Sequence, residues 1–262
     1  MIEYTKESLI AALNNITDMG WIKNRRSGNS GGAGNTLEDL LNIPENNLPL
    51  PNAAEWELKT HKKGSASLLT LFHAEPSPTA MKIVPQYLLP NYGWIHQQAG
   101  KKYPANEKSF RQTINYKGTA RGFKIKIDST NKRIIVAFSH QDVSAEFSEW
   151  LESVKTRTGL QDLNPVPYWG FDDLACKART KLLNCFYVKV SVKREGKTEF
   201  YHYDEIYQCS SFSFKKFLNQ IEAGNVYIDF DARTGHNHGT KFRYAESTAG
   251  LEELYDEVIK IR

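Results

Sequence analysis

The sequence has few cysteines and no long apolar run, and each absence excludes a class of protein. Its 262 residues contain no stretch approaching the ~18 apolar residues that a membrane-spanning helix needs. The segment Met1–Gly20 is polar and amphipathic rather than basic and then apolar, so we expect no signal peptide. The three cysteines are widely spaced and odd in number, which excludes a disulfide framework and a zinc site and predicts reduced thiols in a cytoplasmic protein. They are Cys176, Cys185 and Cys209.

Net charge is also low, at +4, but the positive residues are clustered. Clusters of this kind suit a polyanionic partner, although lysines that serve only solubility look similar. The clusters are Lys23, Arg25 and Arg26; Lys59, Lys62 and Lys63; Lys101 and Lys102; and Lys215 and Lys216.

Helical and strand patterns are mixed without regular β-α-β alternation, which predicts an α+β fold. A chain of this length can form one large domain or two lobes that share a cleft. The predicted helices are residues 5–19, a short helix at 37–41 capped by Asn35 or Thr36, 144–156, 172–183, 212–222, and a last helix from about residue 251.

Alternating apolar residues predict several strands. Residues 122–128 and 132–138 form a predicted hairpin, and 185–190 and 226–230 are further predicted strands. A strand at the Glu57-Leu58-Lys59 segment is predicted to pair with residues 67–73 across a turn at Lys62-Lys63-Gly64. Residues 76–122 are rich in proline and are predicted to be irregular.

Glu57 and Lys59 carry the chemistry that the sequence offers. Residues i and i+2 of a strand project from the same face, so the Glu57 carboxylate and the Lys59 ammonium point the same way. Metal-dependent phosphodiester hydrolysis uses carboxylates to hold Mg²⁺ against a phosphate oxygen, and a lysine to orient the attacking water. The alternative is a salt bridge on a solvent-facing strand.

Several segments, in order along the chain, resemble the MvaI/BcnI restriction endonucleases, a group related to the MutH nicking enzyme. The resemblance runs from near residue 20 to near residue 244. The matching segments are Gly20-Trp21 with Arg25, Gly28 and Asn29; Thr36-Leu37-Glu38-Asp39-Leu40-Leu41; Glu45-Asn46-Asn47-Leu48; Glu57-Leu58-Lys59; Leu69-Thr70-Leu71-Phe72; and His236-Asn237-His238-Gly239 with Arg243.

This resemblance implies a restriction-endonuclease-like (MutH-like) mixed sheet of the PD-(D/E)xK type, with two lobes around duplex DNA. We expect a catalytic lobe at 1–120 and a DNA-recognition lobe at 121–262. The resemblance further implies a monomer that uses Mg²⁺, cuts a short CC-centre-GG site by two successive nicks, and is accompanied by a cognate DNA methyltransferase. It assigns Glu57 and Lys59 to the Glu-x-Lys positions and Glu38 to an additional acidic site residue.

Asn52 departs from the family pattern, because the first metal-binding aspartate of the family falls at this position. An asparagine offers a neutral carbonyl in place of a carboxylate, so we expect weaker Mg²⁺ binding. Three interpretations stay open: an impaired copy of an endonuclease, engineered or natural; compensation by Glu38 or Glu55; or a protein that binds without cutting efficiently.

Two sets of residues are predicted to contact DNA. The resemblance places His236 and Arg243 in a major-groove recognition lobe, and it pairs His73 with His236 for reading a central G·C or C·G pair (CCSGG), whose N2 amine a neutral histidine can accept. Base-reading candidates are His73, Asp229, Asp231, Arg233, His236, Asn237, His238 and Arg243. Candidates for backbone phosphate contacts are Arg25, Arg26, Lys62 and Lys63.

Two rival functions remain. A MutH-like strand-nicking repair endonuclease would need a surface for partner proteins, and a sequence-specific DNA-binding protein without catalysis is supported by Asn52 alone. The adjacent His236-Asn237-His238 does not have the spacing of an HNH nuclease, and no cysteine stands at zinc-ligand spacing from it.

Overall fold

A computed structural model of the chain describes residues 4–26, 31–43, 55–245 and 250–262. Strands and helices are mixed within them, as predicted for an α+β protein. The α-helices are α1 (Lys6–Asp18), α2 (Gly32–Leu40), α3 (Leu89–Tyr92), α4 (Ser148–Thr158), α5 (Phe171–Leu182) and α6 (Phe214–Glu222). The strands are β1 (Ile22–Lys23), β2 (Glu57–Lys62), β3 (Leu69–His73), β4 (Trp94–Ile95), β5 (Lys108–Ile114), β6 (Arg121–Asp128), β7 (Arg133–Val143), β8 (Tyr168–Gly170), β9 (Asn184–Glu195), β10 (Thr198–Phe212), β11 (Val226–Arg233), β12 (His236–Tyr244) and β13 (Tyr255–Lys260). None of the helices in these ranges is long and apolar enough to cross a membrane.

The chain forms two compact units, each built from separated segments. The first comprises Met1–Leu69, Ala178–Phe217 and Ala245–Arg262. Its sheet has the order β1-β10-β9-β2, with β13 also paired to β10. Helices α1 and α2 bury their apolar faces against this sheet. The shared core includes Leu9 of α1, Leu37 of α2 and Val188 of β9.

The second unit comprises Thr70–Lys177 and Leu218–Tyr244 and contains two sheets. One has the order β3-β12-β11-β5-β4, and the other has the order β6-β7-β8. Its interior is rich in aromatic side chains, which pack mostly edge to face. The assignment of catalytic and recognition roles to lobes divided near residue 120 stays a prediction.

Predictions that rested on local signals are confirmed. Helix α1 starts at the predicted cap, where Thr5 Oγ1 accepts from the Ser8 N–H and Ser8 Oγ accepts from the Thr5 N–H. Helices α4, α5 and α6 lie within a few residues of their predicted positions. The predicted hairpin is β6 and β7, joined at residues 129–132.

The predicted hairpin between the Glu57 strand and residues 67–73 is wrong. A turn does form at Gly64, but β2 pairs in parallel with β9, and β3 belongs to the sheet of the second unit. Strand β9 is buried over Cys185–Val188 and needs a partner at each edge, and β10 supplies only one of them. Its second partner is β2, which is distant in sequence, so local pattern could not identify it.

Three further expectations are corrected. The segment after residue 250 is a 3₁₀ turn, Leu251–Leu254, followed by strand β13, because its β-branched residues pair with β10. Residues 76–122 contain strand β5, whose sequence and burial show no regular alternation. Helix α2 begins at Gly32, before the predicted cap, and a Cβ on Gly32 would lie 2.9 Å from Tyr201 Oη. Gly32 therefore serves close packing between α2 and β10.

Candidate active site and nucleic-acid interface

Glu57 and Lys59 lie on one face of β2, as their spacing predicts. Lys59 Nζ donates to Glu57 Oε1 over 2.7 Å. Glu57 is only 2% exposed, so the pair is not a salt bridge on a solvent-facing strand. Trp56 is on the opposite face and packs on Phe186 with ring centroids 4.6 Å apart, as expected for a core residue. A buried ionised carboxylate is costly unless it is paired, and Lys59 supplies a pairing cation for Glu57.

Lys181 is a second cation at this carboxylate, and sequence analysis missed it. Its Nζ lies 3.2 Å from Glu57 Oε2, which is ion-pair distance, but Oε2 receives no hydrogen bond of good geometry from the described residues. Lys181 is in the last turn of α5, just before β9, and the parallel pairing of β9 with β2 sets Cys185 opposite Glu57. The pairing of β9 with β2 therefore brings Lys181 to Glu57. No spacing pattern in the local sequence predicts this contact.

The wall behind Glu57 is apolar and thiol-rich. Cys185, Cys209 and Tyr255 are all buried, and Cys209 stands directly opposite Cys185 on β10. Burial raises the pKa of the Cys185 thiol and of the Tyr255 hydroxyl well above their usual values, so both groups are neutral. A water-poor wall of neutral groups strengthens the electrostatic interactions of Glu57 with its lysines.

The Glu57 carboxylate fits a Mg²⁺ ligand. Mg²⁺ is commonly held by one or two carboxylates together with substrate phosphate oxygens. Glu57 is buried, and its Oε2 receives no hydrogen bond within the part of the chain that the structure describes. That part contains no group of three or more carboxylate, histidine or cysteine side chains that could enclose an ion.

Positions 38 and 52 are the other two predicted positions of the acidic site. Asn52 lies outside the described residues. Glu38 is half-buried on α2, one helical turn after Gly34, and Gly34 approaches Thr60 of β2 so closely that a Cβ would lie 3.2 Å from its Oγ1. Residues one turn apart share a helix face, so Glu38 lies on the face of α2 that meets β2.

Three of the four predicted backbone contacts are held in ion pairs of the first unit. Arg26 forms a bidentate ion pair with Asp39. Lys62 Nζ donates to Glu199 Oε2 over 2.9 Å, and Lys63 Nζ lies 3.1 Å from Asp204 Oδ2. Arg25 is exposed. Phosphate contact by the three paired cations would have to compete with these carboxylates.

Most predicted base-reading residues meet on one face of the sheet in the second unit. Burial alternates along β11, so Asp229, Asp231 and Arg233 share the less buried face. Strand β12 sets Lys241 opposite Asp229 and His236 opposite Arg233. This polar face carries both donors and acceptors, as base-edge recognition requires.

Partners within the same unit hold several of these side chains. Asp229 accepts from Thr113 Oγ1 at 3.0 Å and from Arg243 Nη1 at 3.3 Å. Arg233 donates over 3.1 Å to Glu107, which is buried. Asp231 lies 3.5 Å from Arg111 Nε. These contacts fix the orientation of the polar face, and sequence analysis did not identify Glu107 or Arg111 as its supports.

The histidines are at the exposed end of β12. His236 and His238 are exposed, with ring centroids 4.1 Å apart, and Asn237 between them accepts from the Gly239 N–H. A Cβ on Gly239, at φ +83°, would lie 3.8 Å from His73 Nδ1. The three histidines thus occupy neighbouring strands, β3 and β12, of one sheet.

A cavity of about 730 Å³ opens beside these residues. His236, Asn237 and His238 line one side of it. Glu75, also in its lining, accepts from both the N–H and the hydroxyl of Thr240 and so fixes β12 at the cavity edge. A concave surface with several convergent polar groups is a typical binding site.

The sequence profile of the MvaI/BcnI restriction endonuclease family matches residues 10–255. The chain belongs to the MvaI/BcnI family. The resemblance noted in the sequence is thereby confirmed, and this MvaI/BcnI-family chain is a type II site-specific deoxyribonuclease.

Solved structures of restriction endonuclease MvaI are similar to this family member. The complex of MvaI with its cognate DNA substrate aligns with a TM-score of 0.75 and 23% identity over 99% of this chain and 100% of that chain. MvaI in the absence of DNA aligns with a TM-score of 0.52 and 25% identity over 100% of both chains. None of the curated proteins compared with the chain matches it.

Proposed function

We propose that this chain hydrolyses phosphodiester bonds of duplex DNA with Mg²⁺ at a short CC-centre-GG site, and that a G·C or C·G pair is preferred at the centre (CCSGG). We further propose that it acts as a monomer by two successive nicks, as a MutH-like PD-(D/E)xK nuclease paired with a cognate methyltransferase. The observation that carries the catalytic part is the buried Glu57 carboxylate, with Lys59 hydrogen-bonded to Oε1 and Lys181 at ion-pair distance from Oε2.

The side chains at β2 have separable tasks in this reaction. Glu57 and the residue at position 52 would hold Mg²⁺, which when bound lowers the pKa of water and polarises a phosphate oxygen. Lys59, which donates to Glu57 Oε1, would place its ammonium group next to the scissile phosphate, where it would orient the attacking water and offset the charge that develops on the phosphate. Lys181 lies 3.2 Å from the second oxygen of Glu57, and its charge would limit rotation of the carboxylate.

DNA as the partner is supported by the similar structure of MvaI, which is that of a complex with a cognate DNA substrate. The polar face of β11 and β12 offers the hydrogen-bonding groups that read base edges. His73 and His236, on neighbouring strands, are the proposed readers of the central pair. Lys62, Lys63, Arg25 and Arg26 are proposed to meet phosphates.

Asn52 makes this copy an impaired enzyme in our proposal. A carbonyl oxygen carries no full charge, so it holds Mg²⁺ less well than the aspartate expected there. The specific alternative that this residue favours is a protein that binds its DNA site without cutting it.

The test is plasmid cleavage with Mg²⁺ by the chain and by its Asn52→Asp variant. One plasmid carries CCCGG sites and the other carries CCAGG sites. We expect the aspartate variant to cut at least ~100-fold faster, the loss typical for removal of one group that stabilises transition-state charge. Faster cutting of CCCGG would support the role of His73.

Glu57→Gln in the Asn52→Asp background is the catalytic control, and Glu55→Gln is its matched partner. Glu55 is exposed and two residues away, so both changes remove one negative charge from the same segment. We expect the first to abolish cutting while DNA binding persists, and the second to leave cutting unchanged. If every variant binds the site specifically but none cuts it, the non-cleaving alternative is favoured. If no variant binds the site specifically or cuts it, the proposed site is refuted.

A further inference from the structure

A pocket of about 350 Å³ in the second unit is separate from the cavity at the histidines. Trp94 and Phe147 line it with Gln112, Thr119 and Arg121, and Arg111 lies at its edge with 71% of its side chain exposed. One water occupies ~30 Å³ in the liquid, so the pocket has room for a considerably larger ligand.

Arg121 is fixed in this pocket by aromatic rings. The centre of its guanidinium group lies 3.8 Å from the ring of Phe147, 4.2 Å from that of Trp94 and 5.0 Å from that of Trp150. Because rings cover the flat faces, the group can form hydrogen bonds only at its edge. Its Nη1 is buried and has no hydrogen-bond partner among the described residues.

The backbone holds Arg121 in this position through a bulge. The pairing of β6 with β7 shifts register between Arg121 and Phe123, and the residue between them, Gly122, has φ +74°. A Cβ at Gly122 would collide with Ser139 O, so no other residue fits. Bulges re-aim side chains, and this one turns Arg121 towards the rings.

Gln112 and Thr119 supply further donors. Gln112 Nε2 is also buried without a hydrogen-bond partner in the described ranges. Thr119 Oγ1 accepts from the Phe123 N–H, which leaves its own proton available to donate. Buried donors without acceptors are costly, and two in one pocket indicate a missing acceptor.

We propose that this pocket binds a phosphate oxyanion, either a backbone phosphate of DNA or free inorganic phosphate. A phosphate presents several acceptor oxygens and can receive from all three donors, and the Arg121 charge favours an anion. Burial lowers the pKa of Arg121, but a guanidinium stays charged in proteins.

Two acidic residues near the pocket do not oppose this assignment. Asp231 is paired with Arg111 and points to the other face of the sheet from Gln112, which stands opposite Phe230. Glu146 is exposed and therefore screened by solvent.

The DNA form of the inference rests on the proposed function, whereas the phosphate form does not, so the experiment has two arms. In the first, inorganic phosphate is titrated into the full chain at constant ionic strength, with tryptophan fluorescence as readout because Trp94 and Trp150 contact Arg121. In the second, fluorescence anisotropy measures binding of a duplex without a CC-centre-GG site at several salt concentrations.

The test variant is Gln112→Glu, which replaces the buried amide donor of the pocket with a carboxylate. The control is Gln161→Glu, which makes the same charge change at an exposed position. We expect saturable phosphate binding to the unmodified chain and to Gln161→Glu, and its loss in Gln112→Glu. For the duplex we expect about tenfold weaker binding by Gln112→Glu, with a salt slope lower by about one.

Each outcome decides the matter. If Gln112→Glu loses only the binding of inorganic phosphate, the pocket is a site for a free anion. If Gln112→Glu weakens only duplex binding, the pocket binds a backbone phosphate of DNA. The inference is overturned when the unmodified chain shows no saturable phosphate response and Gln112→Glu binds the duplex like Gln161→Glu. Should Gln112→Glu fail to fold, Arg121→Lys takes its place, since it keeps the charge but removes Nη1. Failure to cut CC-centre-GG plasmids would leave both arms readable.

Discussion

At the residue scale, the Glu57 carboxylate of β2 is buried between two lysines. Glu57 is buried, and each of its oxygens faces a lysine, Lys59 at 2.7 Å and Lys181 at 3.2 Å. Removal of one member of a buried ion group leaves the remaining charge uncompensated, which is far more costly than loss of a surface pair. The two lysines are therefore not equivalent to surface cations.

Lys181→Gln is expected to slow cutting by about tenfold to a hundredfold, because a carboxylate released at Oε2 spends less time in its productive orientation. Lys181 acts through Glu57, so kcat should fall while KM stays nearly constant, and Lys181→Arg should restore part of the rate. Steady-state kinetics in the Asn52→Asp background measures both.

Lys177→Gln is the matched control, since Lys177 is exposed one turn earlier on the same helix. Equal effects of the two glutamine variants would show that Lys181 contributes only general positive charge. A rise in KM alone would assign Lys181 to DNA binding.

Glu199 gives a prediction about acid stability. Hydrogen bonds from Lys62, Arg194 and Tyr201 lower its pKa from 4.5 to about 2. A carboxyl group whose pKa is depressed by folding stabilises the protein fully above the ordinary pKa and loses that contribution as pH falls through the folded pKa. The contribution of Glu199 should therefore disappear between pH 4.5 and about 2.

Urea unfolding of the chain and of Glu199→Gln at pH 6, 4 and 3 checks this. The difference in free energy of unfolding between the two proteins should be largest at pH 6 and should shrink as the pH falls. A difference that stays constant with pH would contradict the assignment.

Elements of the second unit depend on single backbone conformations, and Gly122 is the sharpest case. Gly122→Ala should place a Cβ against Ser139 O and distort the bulge that aims Arg121. Gly196, at φ +61° in the turn between β9 and β10, faces open space, and a Cβ added there would meet no atom within 4 Å. Gly196→Ala should therefore cost only the ~1–2 kcal/mol of a left-handed residue with a side chain.

Thermal unfolding of the two alanine variants measures the contrast. We expect Gly196→Ala to lower Tm by about 2–8 °C and Gly122→Ala to lower it clearly further. Similar losses would mean that the β6–β7 bulge relaxes around the new methyl group.

At the same scale, the elements that sequence analysis predicted are those specified by their own residues. Thr5 and Ser8 cap α1, and the turn at 129–132 joins β6 to β7, so each signal lies within its element. The segment of β13 was wrongly predicted to be helical because Val258 and Ile259 also fit the apolar face of a helix. Only pairing with β10 selects the strand.

The residues of the candidate site divide in the same way. Glu57 and Lys59 were predictable because i, i+2 spacing on one strand is a local property. Lys181 reaches Glu57 only through the pairing of β9 with β2, and Gln112 and Arg121 meet only through the fold of the second unit. Local spacing identifies reactive pairs, and tertiary pairing decides which further residues join them.

The whole molecule distinguishes its three thiols. Cys176 is exposed, whereas Cys185 and Cys209 are buried against each other behind Glu57. Burial also raises the pKa of Cys185, which keeps it as an unreactive thiol. Ellman's reagent should therefore label one cysteine in the native chain and all three in denaturant. Rapid labelling of a second thiol without denaturant would show that the wall behind Glu57 opens.

The pairing of β2 with β9 also determines when the proposed Glu57 site can first form during synthesis of the chain. Glu57 and Lys59 leave the ribosome early, but Cys185, the residue opposite Glu57, follows only after most of the second unit has been translated. Domains that fold as they emerge cannot complete a sheet whose neighbouring strand is still unmade. A nascent chain that has reached residue 170 thus already carries its Glu-x-Lys pair, yet it lacks both β9 and Lys181, so the proposed site cannot be completed until these later segments are made.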